Sequence, residues 1–259
     1  MIAWRRLPVP PGYVREWREQ DTEIVALRGA AGSVGEALRD GTLYDFAAHA
    51  PGARPMRGRG TAFAVSLPDG GPPVVVRRSR HGGLLAGITG ERFLAPTRAP
   101  RELRTALRLE RAGVSTPEVL AYVTYPAGGA LRRADIATRE VEGGRDLGQL
   151  LSDTVPGAER TESWTAVGRL LANLSAAGAR HPDLNAANVL LAMSESGDTE
   201  AWLLDVDRVW FDRPGEPRVM EANLRRLARS VRKWRDRWGA QIEDSELDTL
   251  ARQAGSDGR

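Results

Sequence analysis

The feature that most constrains the fold is a change of hydrophobic rhythm at Glu142-Gly143-Gly144. Before it, apolar residues come in short runs bounded by glycine and proline, the pattern of strands. Strands are expected over 22–28, 61–67, 73–77, 118–124 and 134–141, with Pro68-Asp69-Gly70-Gly71 closing a hairpin between the second and third. The one main helix of this half is expected over 101–112, where Leu103, Ala106 and Leu107 recur at helical spacing and Gly113 supplies the cap. A shorter helix over 33–40 would start at Ser33 as N-cap, with Glu36 as its capping-box partner. After the glycines the pattern turns helical. Trp164, Val167, Leu170, Leu171 and Leu174 share one side of a helix over 161–177, and further helices are expected over 221–238 and 244–253. Only two short strands are expected there, over 189–193 and 202–206. The chain therefore reads as α+β, with a β-rich N-terminal lobe over 1–141 and a helical C-terminal lobe over 142–259. Two unlike lobes about a flexible joint make the cleft between them the default ligand site.

Composition narrows the chemistry. No cysteine occurs, which removes disulfides, thiolate metal sites and thiol nucleophiles. No Gly-x-Ser-x-Gly elbow and no histidine pair at zinc spacing is present. Lys233 is the only lysine among 37 cations, so arginine forks suited to phosphates and carboxylates carry nearly all the positive charge. The net charge is only +3 and acids are interspersed, so nucleic acid is not an expected partner. Residues 1–11 carry prolines where a signal peptide has its apolar core, and the apolar run near 170–179 is too short for a bilayer. A soluble or peripherally attached protein is expected.

The strongest motif is His181-Pro182-Asp183-Leu184-Asn185-Ala186-Ala187-Asn188. Its form, His-x-Asp-Leu-x-x-x-Asn, is the spacing of a protein-kinase catalytic loop. An aspartate there takes or orients the proton of an acceptor hydroxyl, and an asparagine five residues later turns back to a metal ion on the phosphates. The plainer alternative is a polar turn between a helix and a strand. Leu203-Leu204-Asp205-Val206-Asp207 follows, an acid ending an apolar strand where a second metal ligand belongs. Asp183 and the ligands Asn188 and Asp205 are thus the candidate catalytic and Mg²⁺-binding residues.

Three features of the N-terminal half concern a nucleotide. Gly58, Arg59 and Gly60 form a small glycine loop ahead of the hairpin. Arg77 ends the third expected strand, with Glu102 on the next helix as partner, or Glu110 as the other acid. With no lysine in this half, Arg77 is the candidate for the phosphate-facing role; the plainer alternative is a surface charge, with Glu102 in the first helical turn for dipole reasons. Glu140 would lie beside the adenine. His81, Gly82 and Gly83 open a loop toward the expected cleft and, with Asn185, are candidates for the acceptor.

The stretches GRGTAF (58–63), VVVRRSRHGGLL (74–85), RELRTALRLERAGVSTPEVLAY (101–122), HPDLNAANVLL (181–191), LLDVDR (203–208) and RVMEANLRRLARSVRK (218–233) together resemble the bacterial lipopolysaccharide core kinases, those acting on 3-deoxy-D-manno-octulosonic acid (Kdo) most of all. The resemblance implies a protein-kinase-like bilobal fold, ATP with Mg²⁺, and phosphorylation of a Kdo hydroxyl on a lipid A precursor. It also implies a lipid-linked acceptor and peripheral contact with the cytoplasmic face of the inner membrane. By position it makes Asp183 the base, Asn188 and Asp205 the metal ligands, and Arg77 with Glu102 the ATP-orienting pair. Val206 departs from the family's usual aromatic, and residues 1–50 carry little of the likeness. Other acceptors stay open: a heptose, a small sugar or a protein Ser/Thr. For protein substrates there is no Ala-Pro-Glu segment after Asp205, and 211–215 is short for an activation loop. A non-catalytic nucleotide-binding pseudokinase is the remaining alternative.

Overall fold

The computed structural model describes residues 7–56, 62–79, 91–153, 156–240 and 242–256. The chain forms two compact units, Met1–Arg104 with Glu118–Glu140, and Thr105–Pro117 with Val141–Arg259. Residues 105–117 therefore depart from the expected division: they go with the second unit, together with the last turns of the helix Ala99–Arg111.

The first unit is built on an antiparallel sheet. Its strands are β1 (Tyr13–Arg18), β2 (Thr22–Leu27), β3 (Arg54–Met56), β4 (Ala62–Ser66), β5 (Pro73–Arg78), β6 (Phe93–Leu94), β7 (Val119–Pro126) and β8 (Leu131–Arg139). They run in the order β1-β2-β7-β8-β5-β4-β3, with β6 pairing to β8. The hairpin expected at 68–71 joins β4 to β5, with Phe63 opposite Val76 and Ala64 opposite Val75. Along β5 the side chains alternate, so Val74 and Val76 are buried while Arg77 turns to the other face.

Two short helices cover the apolar face, α1 (Ala31–Ala37) and α2 (Leu43–His49). The core between them and the sheet includes Ile24, Val34, Leu43, Val74, Val76 and Leu120. Ser33 is not the N-cap of α1. A 3-10 turn at Arg28–Ala30 runs straight into the helix, which has begun at Ala31 with no side-chain cap. The α2 helix is an addition to the expected elements. Thr42 caps it, its hydroxyl accepting from the Asp45 amide at 3.1 Å, and the Leu43 amide donates to the Tyr125 hydroxyl at 2.8 Å. The helix α3 (Ala99–Arg111) buries Leu103, Ala106 and Leu109 and ends before Gly113, whose φ of 74° suits a residue without a Cβ.

In the second unit, β9 (Arg145–Asp146), β11 (Val189–Met193) and β12 (Thr199–Leu203) form a small sheet, and β10 (Ala179–Arg180) pairs with β13 (Trp210–Phe211). The helices are α4 (Leu147–Ser152), α5 (Gly157–Ala176), α6 (Pro217–Trp238) and α7 (Asp244–Ser256). The expected apolar face of α5, Trp164 to Leu174, is buried. Glu246 on α7 accepts from Arg160 Nε at 2.5 Å and from Trp164 Nε1 at 2.9 Å, which fastens α7 to α5. Trp210 is exposed, against its expected place in the packing.

Glycines set two close approaches here. Gly144, expected to lie in a flexible joint, is in a tight turn in which its amide donates to Val141 O at 3.2 Å. A Cβ there would lie 2.7 Å from Leu190 Cδ2. A Cβ at Gly148 would lie 2.3 Å from Trp234 Cζ2, so the α4 backbone rests directly on the α6 indole. Among the described residues no helix is long and apolar enough to cross a membrane.

Candidate active site

The loop 181–188 leaves β10, turns through a 3-10 segment at Ala186–Asn188 and enters β11. Three residues of α6 at helical spacing hold it: Asn223, Arg226 and Ser230. Asn223 is fully buried. Its Oδ1 accepts from the His181 amide at 3.0 Å, and its Nδ2 donates to Ala179 O at 2.8 Å. Arg226 Nε donates to Pro182 O, and Ser230 Oγ accepts from the Ala186 amide at 3.1 Å. Leu184 and Ala186 are buried beneath the loop.

Hydrogen bonds inside the loop fix the backbone of Asp183. Its amide donates to His181 Nδ1 at 3.2 Å. Its carbonyl accepts from Asn185 Nδ2 at 2.8 Å and from Asn188 Nδ2 at 3.2 Å. Asn185 Oδ1 accepts from the Ala187 amide at 3.0 Å, capping the 3-10 turn. These bonds leave the Asp183 carboxylate about one-third exposed, with Arg226 Nη2 on Oδ1 at 2.9 Å and Arg208 Nη1 on Oδ2. Burial holds the His181 imidazole below its usual pKa, against the pull of the Asp205 carboxylate and of the Leu204 and Asp205 backbone. No acceptor meets its buried Nε2 at hydrogen-bond geometry among the described residues.

Strand pairing brings the two other candidates of this unit together. Val189 faces Leu203 across β11 and β12, and the Leu204 amide donates to Asn188 O at 2.8 Å. Asn188 and Asp205 thus stand at neighbouring strand ends. Asp205 is exposed and left-handed, φ 57° and ψ 51°, which costs a non-glycine residue about 1 kcal/mol. The expected strand over 202–206 ends early for this reason: the ladder stops at Leu203 and the chain reverses at Asp205. Asp207 is buried, and Arg208 reaches Asp183.

In the first unit, Arg77 on β5 forms an ion pair with the buried Glu102 of α3. Glu110 is exposed. The neighbouring Arg78 lies on the opposite face and belongs to a separate cluster. It stacks 4.1 Å from the Tyr44 ring centroid and pairs with Glu91, Asp45 and the buried Asp135. Glu140 pairs with Arg54 at 2.6 Å, and its amide donates to Pro73 O at 3.1 Å. Gly58, Arg59 and Gly60, and likewise His81, Gly82 and Gly83, lie outside the described residues.

The sequence pattern did not single out Arg208, Asn223, Arg226 or Ser230 as site residues. The helical period of α6 does mark 223, 226 and 230 as one face, and polar residues on a buried face are the signal that was available.

Residues 57–251 match the lipopolysaccharide kinase (Kdo/WaaP) family. The chain is 33% identical over 225 residues to a 3-deoxy-D-manno-octulosonic acid kinase of Xanthomonas oryzae pv. oryzae, covering 84% of this chain and 86% of that protein. It is 36% identical over 204 residues to the protein of that name from Stenotrophomonas maltophilia, covering 76% of each. Among solved structures, WaaP in complex with acyl carrier protein aligns over 94% of this chain and 99% of that one, with 17% identity and a TM-score of 0.49. On the family match and the identities to these relatives, the chain belongs to the lipopolysaccharide kinase (Kdo/WaaP) family.

Proposed function

We propose that the protein transfers the γ-phosphoryl group of ATP to a hydroxyl of Kdo on a lipid A precursor. Family membership supports a phosphotransferase acting on a sugar hydroxyl, and the relatives named as Kdo kinases support this acceptor. The observation that carries the reading is the mounting of Asp183. Its carboxylate is one-third exposed, side chains within the loop bond its own backbone, and side chains of α6 bond the backbone of His181, Pro182 and Ala186 around it. In phosphoryl transfer most of the rate comes from positioning, so a rigid mount for the residue that meets the hydroxyl is what the chemistry requires.

Asp183 accepts the proton of the acceptor hydroxyl as its oxygen bonds to the γ-phosphorus, and the bond from that phosphorus to ADP breaks. The donor set suits Mg²⁺. Asn188 donates through Nδ2, which leaves Oδ1 without a hydrogen bond among the described residues, and Asp205 offers an exposed carboxylate. No group of three His, Cys, Asp or Glu is gathered among the described residues, in keeping with a cation held by one or two protein oxygens and completed by phosphates. Asn188 and Asp205 would hold it, and when bound it neutralises charge on the phosphates.

Arg77, steadied by Glu102, addresses the phosphates with a planar fork in place of an ammonium. Gly58, Arg59 and Gly60 keep their sequence-based assignment to the nucleotide, as does Glu140 through its place at the end of the sheet. His81, Gly82 and Gly83 keep theirs to the acceptor. Asn185 braces the loop and has a second Nδ2 hydrogen for the acceptor.

Contact with an anionic membrane surface belongs to the same reading. The exposed side of α6 carries Arg225, Arg229, Arg232, Lys233 and Arg237. Of these, Arg229, Arg232 and Lys233 have no acidic partner among the described residues. Basic residues near an anionic leaflet contribute about 1 kcal/mol each. Co-sedimentation with phosphatidylglycerol vesicles, lost in an Arg229→Glu, Arg232→Glu double variant, tests this part.

Mass spectrometry of Kdo-lipid A incubated with ATP, Mg²⁺ and the protein tests the main claim. A gain of one phosphate on Kdo is expected. Transfer to a heptose or to protein, with none to Kdo, overturns it.

A further inference from the structure

Two guanidinium groups meet the Asp183 carboxylate, and they are mounted differently. Arg226 projects from the middle of α6 and is tethered twice, through Nε to Pro182 O and through Nη2 to Asp183 Oδ1. Arg208 ends the 3-10 turn Val206–Arg208 and is 52% exposed. Among the described residues its one partner is Asp183 Oδ2. One of its five N–H donors is used there, and the rest of the fork is open to solvent.

We infer that Arg208 is a further acceptor-binding residue of this site, and that it recognises a carboxylate carried by the acceptor sugar itself. The inference rests on the acceptor reading above and adds to it the residue that meets the acid group of the sugar. A guanidinium fork and a carboxylate match in a planar, two-bond arrangement that an ammonium cannot reproduce. When a carboxylate-bearing sugar enters, Arg208 exchanges the Asp183 carboxylate for the acceptor's. Neither charge is stranded. Asp183 keeps Arg226, and Arg208 keeps an anionic partner. The exchange frees Oδ2, the oxygen that then meets the sugar hydroxyl.

A neutral sugar offers no such exchange. It gains no paired contact from the guanidinium fork, so separating Arg208 from Asp183 is not compensated by a new anionic partner. The arrangement therefore selects for a sugar with a carboxylate near the reacting hydroxyl and against a neutral heptose. Arg226 cannot serve in this way, because leaving Asp183 would also strain its tie to Pro182.

The test is steady-state kinetics on Kdo-lipid A with a free carboxylate and on its methyl ester, for wild type, Arg208→Gln and Arg208→Lys. With wild type, the KM for the ester is expected to exceed that for the acid by about 10-fold or more, the scale of one charge-assisted paired contact. Arg208→Gln raises the KM for the acid by a similar factor, leaves the KM for ATP unchanged, and no longer separates acid from ester. Arg208→Lys falls between, and thermal melts of all three proteins coincide because the side chain is half exposed.

Equal use of acid and ester by wild type overturns the inference and leaves the Kdo acceptor standing. So does an Arg208→Gln protein that still separates them, or whose lesion lies in the KM for ATP, which would make Arg208 a phosphate ligand. Activity confined to neutral sugars overturns the inference and the acceptor reading together.

Discussion

In the first unit, Arg77 sits on a strand hydrogen-bonded on both sides, and its partner Glu102 lies in the first turn of a helix. In the second unit, Asp183 sits on a loop whose backbone bonds go largely to side chains, those of His181, Asn185, Asn188, Asn223, Arg226 and Ser230. Regular structure places the first pair, and a set of individual polar residues places the second. A side-chain change at Arg77 therefore leaves its neighbours in position. A change at any brace of the loop moves the residue proposed to do the chemistry.

The largest expected effect is from Asp183→Ala, a loss of about 10³-fold in kcat with Mg²⁺-ATP binding retained, since a positioned proton acceptor typically contributes 10²–10⁴-fold. Turnover kinetics and nucleotide titration measure the two sides, and an active Asp183→Ala protein would remove the base assignment. Next comes Asn223→Ala, which leaves the His181 amide and Ala179 carbonyl buried without partners. About 3 kcal/mol of stability should go, at roughly 1–3 kcal/mol per stranded group, together with most of the activity. Denaturant melts and the kinase assay should fail in step. Arg77→Met combined with Glu102→Gln should instead raise the KM for ATP about 10-fold with little change in the melt, because removing both charges strands neither and the strand is held by the ladder. Equal losses of stability at Asn223 and Arg77 would erase the contrast.

The smallest effect concerns pH. The folded His181 pKa lies below its unfolded value, so the folded state favours the neutral ring. That preference stabilises the protein fully above about pH 6.5, the unfolded value, and the stability is lost as pH falls through the lowered folded value. A drop of a few degrees in Tm on acidification to pH 5.5 is expected. His181→Asn should flatten that part of the profile; an unchanged slope would assign it to other groups.

Legibility in the sequence follows the same contrast. The hairpin β4–β5, the strand Val189–Met193 and the helices α5 and α6 could be read because local periodicity fixes them. Asp183, Asn188, Asp205 and the Arg77–Glu102 pair could be named as candidates because motif spacing or element order marks them. For their braces Asn223, Arg226 and Ser230, the helical period gives a shared face of α6 but not what that face holds, since the groups they hold lie some 40 residues away. Thr42 and Asp45 did carry a capping signal for α2, but seven residues are too few for the apolar period to show. Ser33 misled because a 3-10 turn had already started the helix upstream.

The left-handed backbone at Asp205 sets two measures of fitness against each other. Asp205→Gly relieves about 1 kcal/mol of backbone strain, offset in part by the greater freedom of glycine in the unfolded chain. Such a protein should melt at or above the wild-type temperature while lacking the carboxylate assigned to Mg²⁺. A screen for heat resistance would retain the substitution, and a screen for phosphate transfer would discard it. Position 205 thus carries a backbone cost that its proposed role at Mg²⁺ would account for.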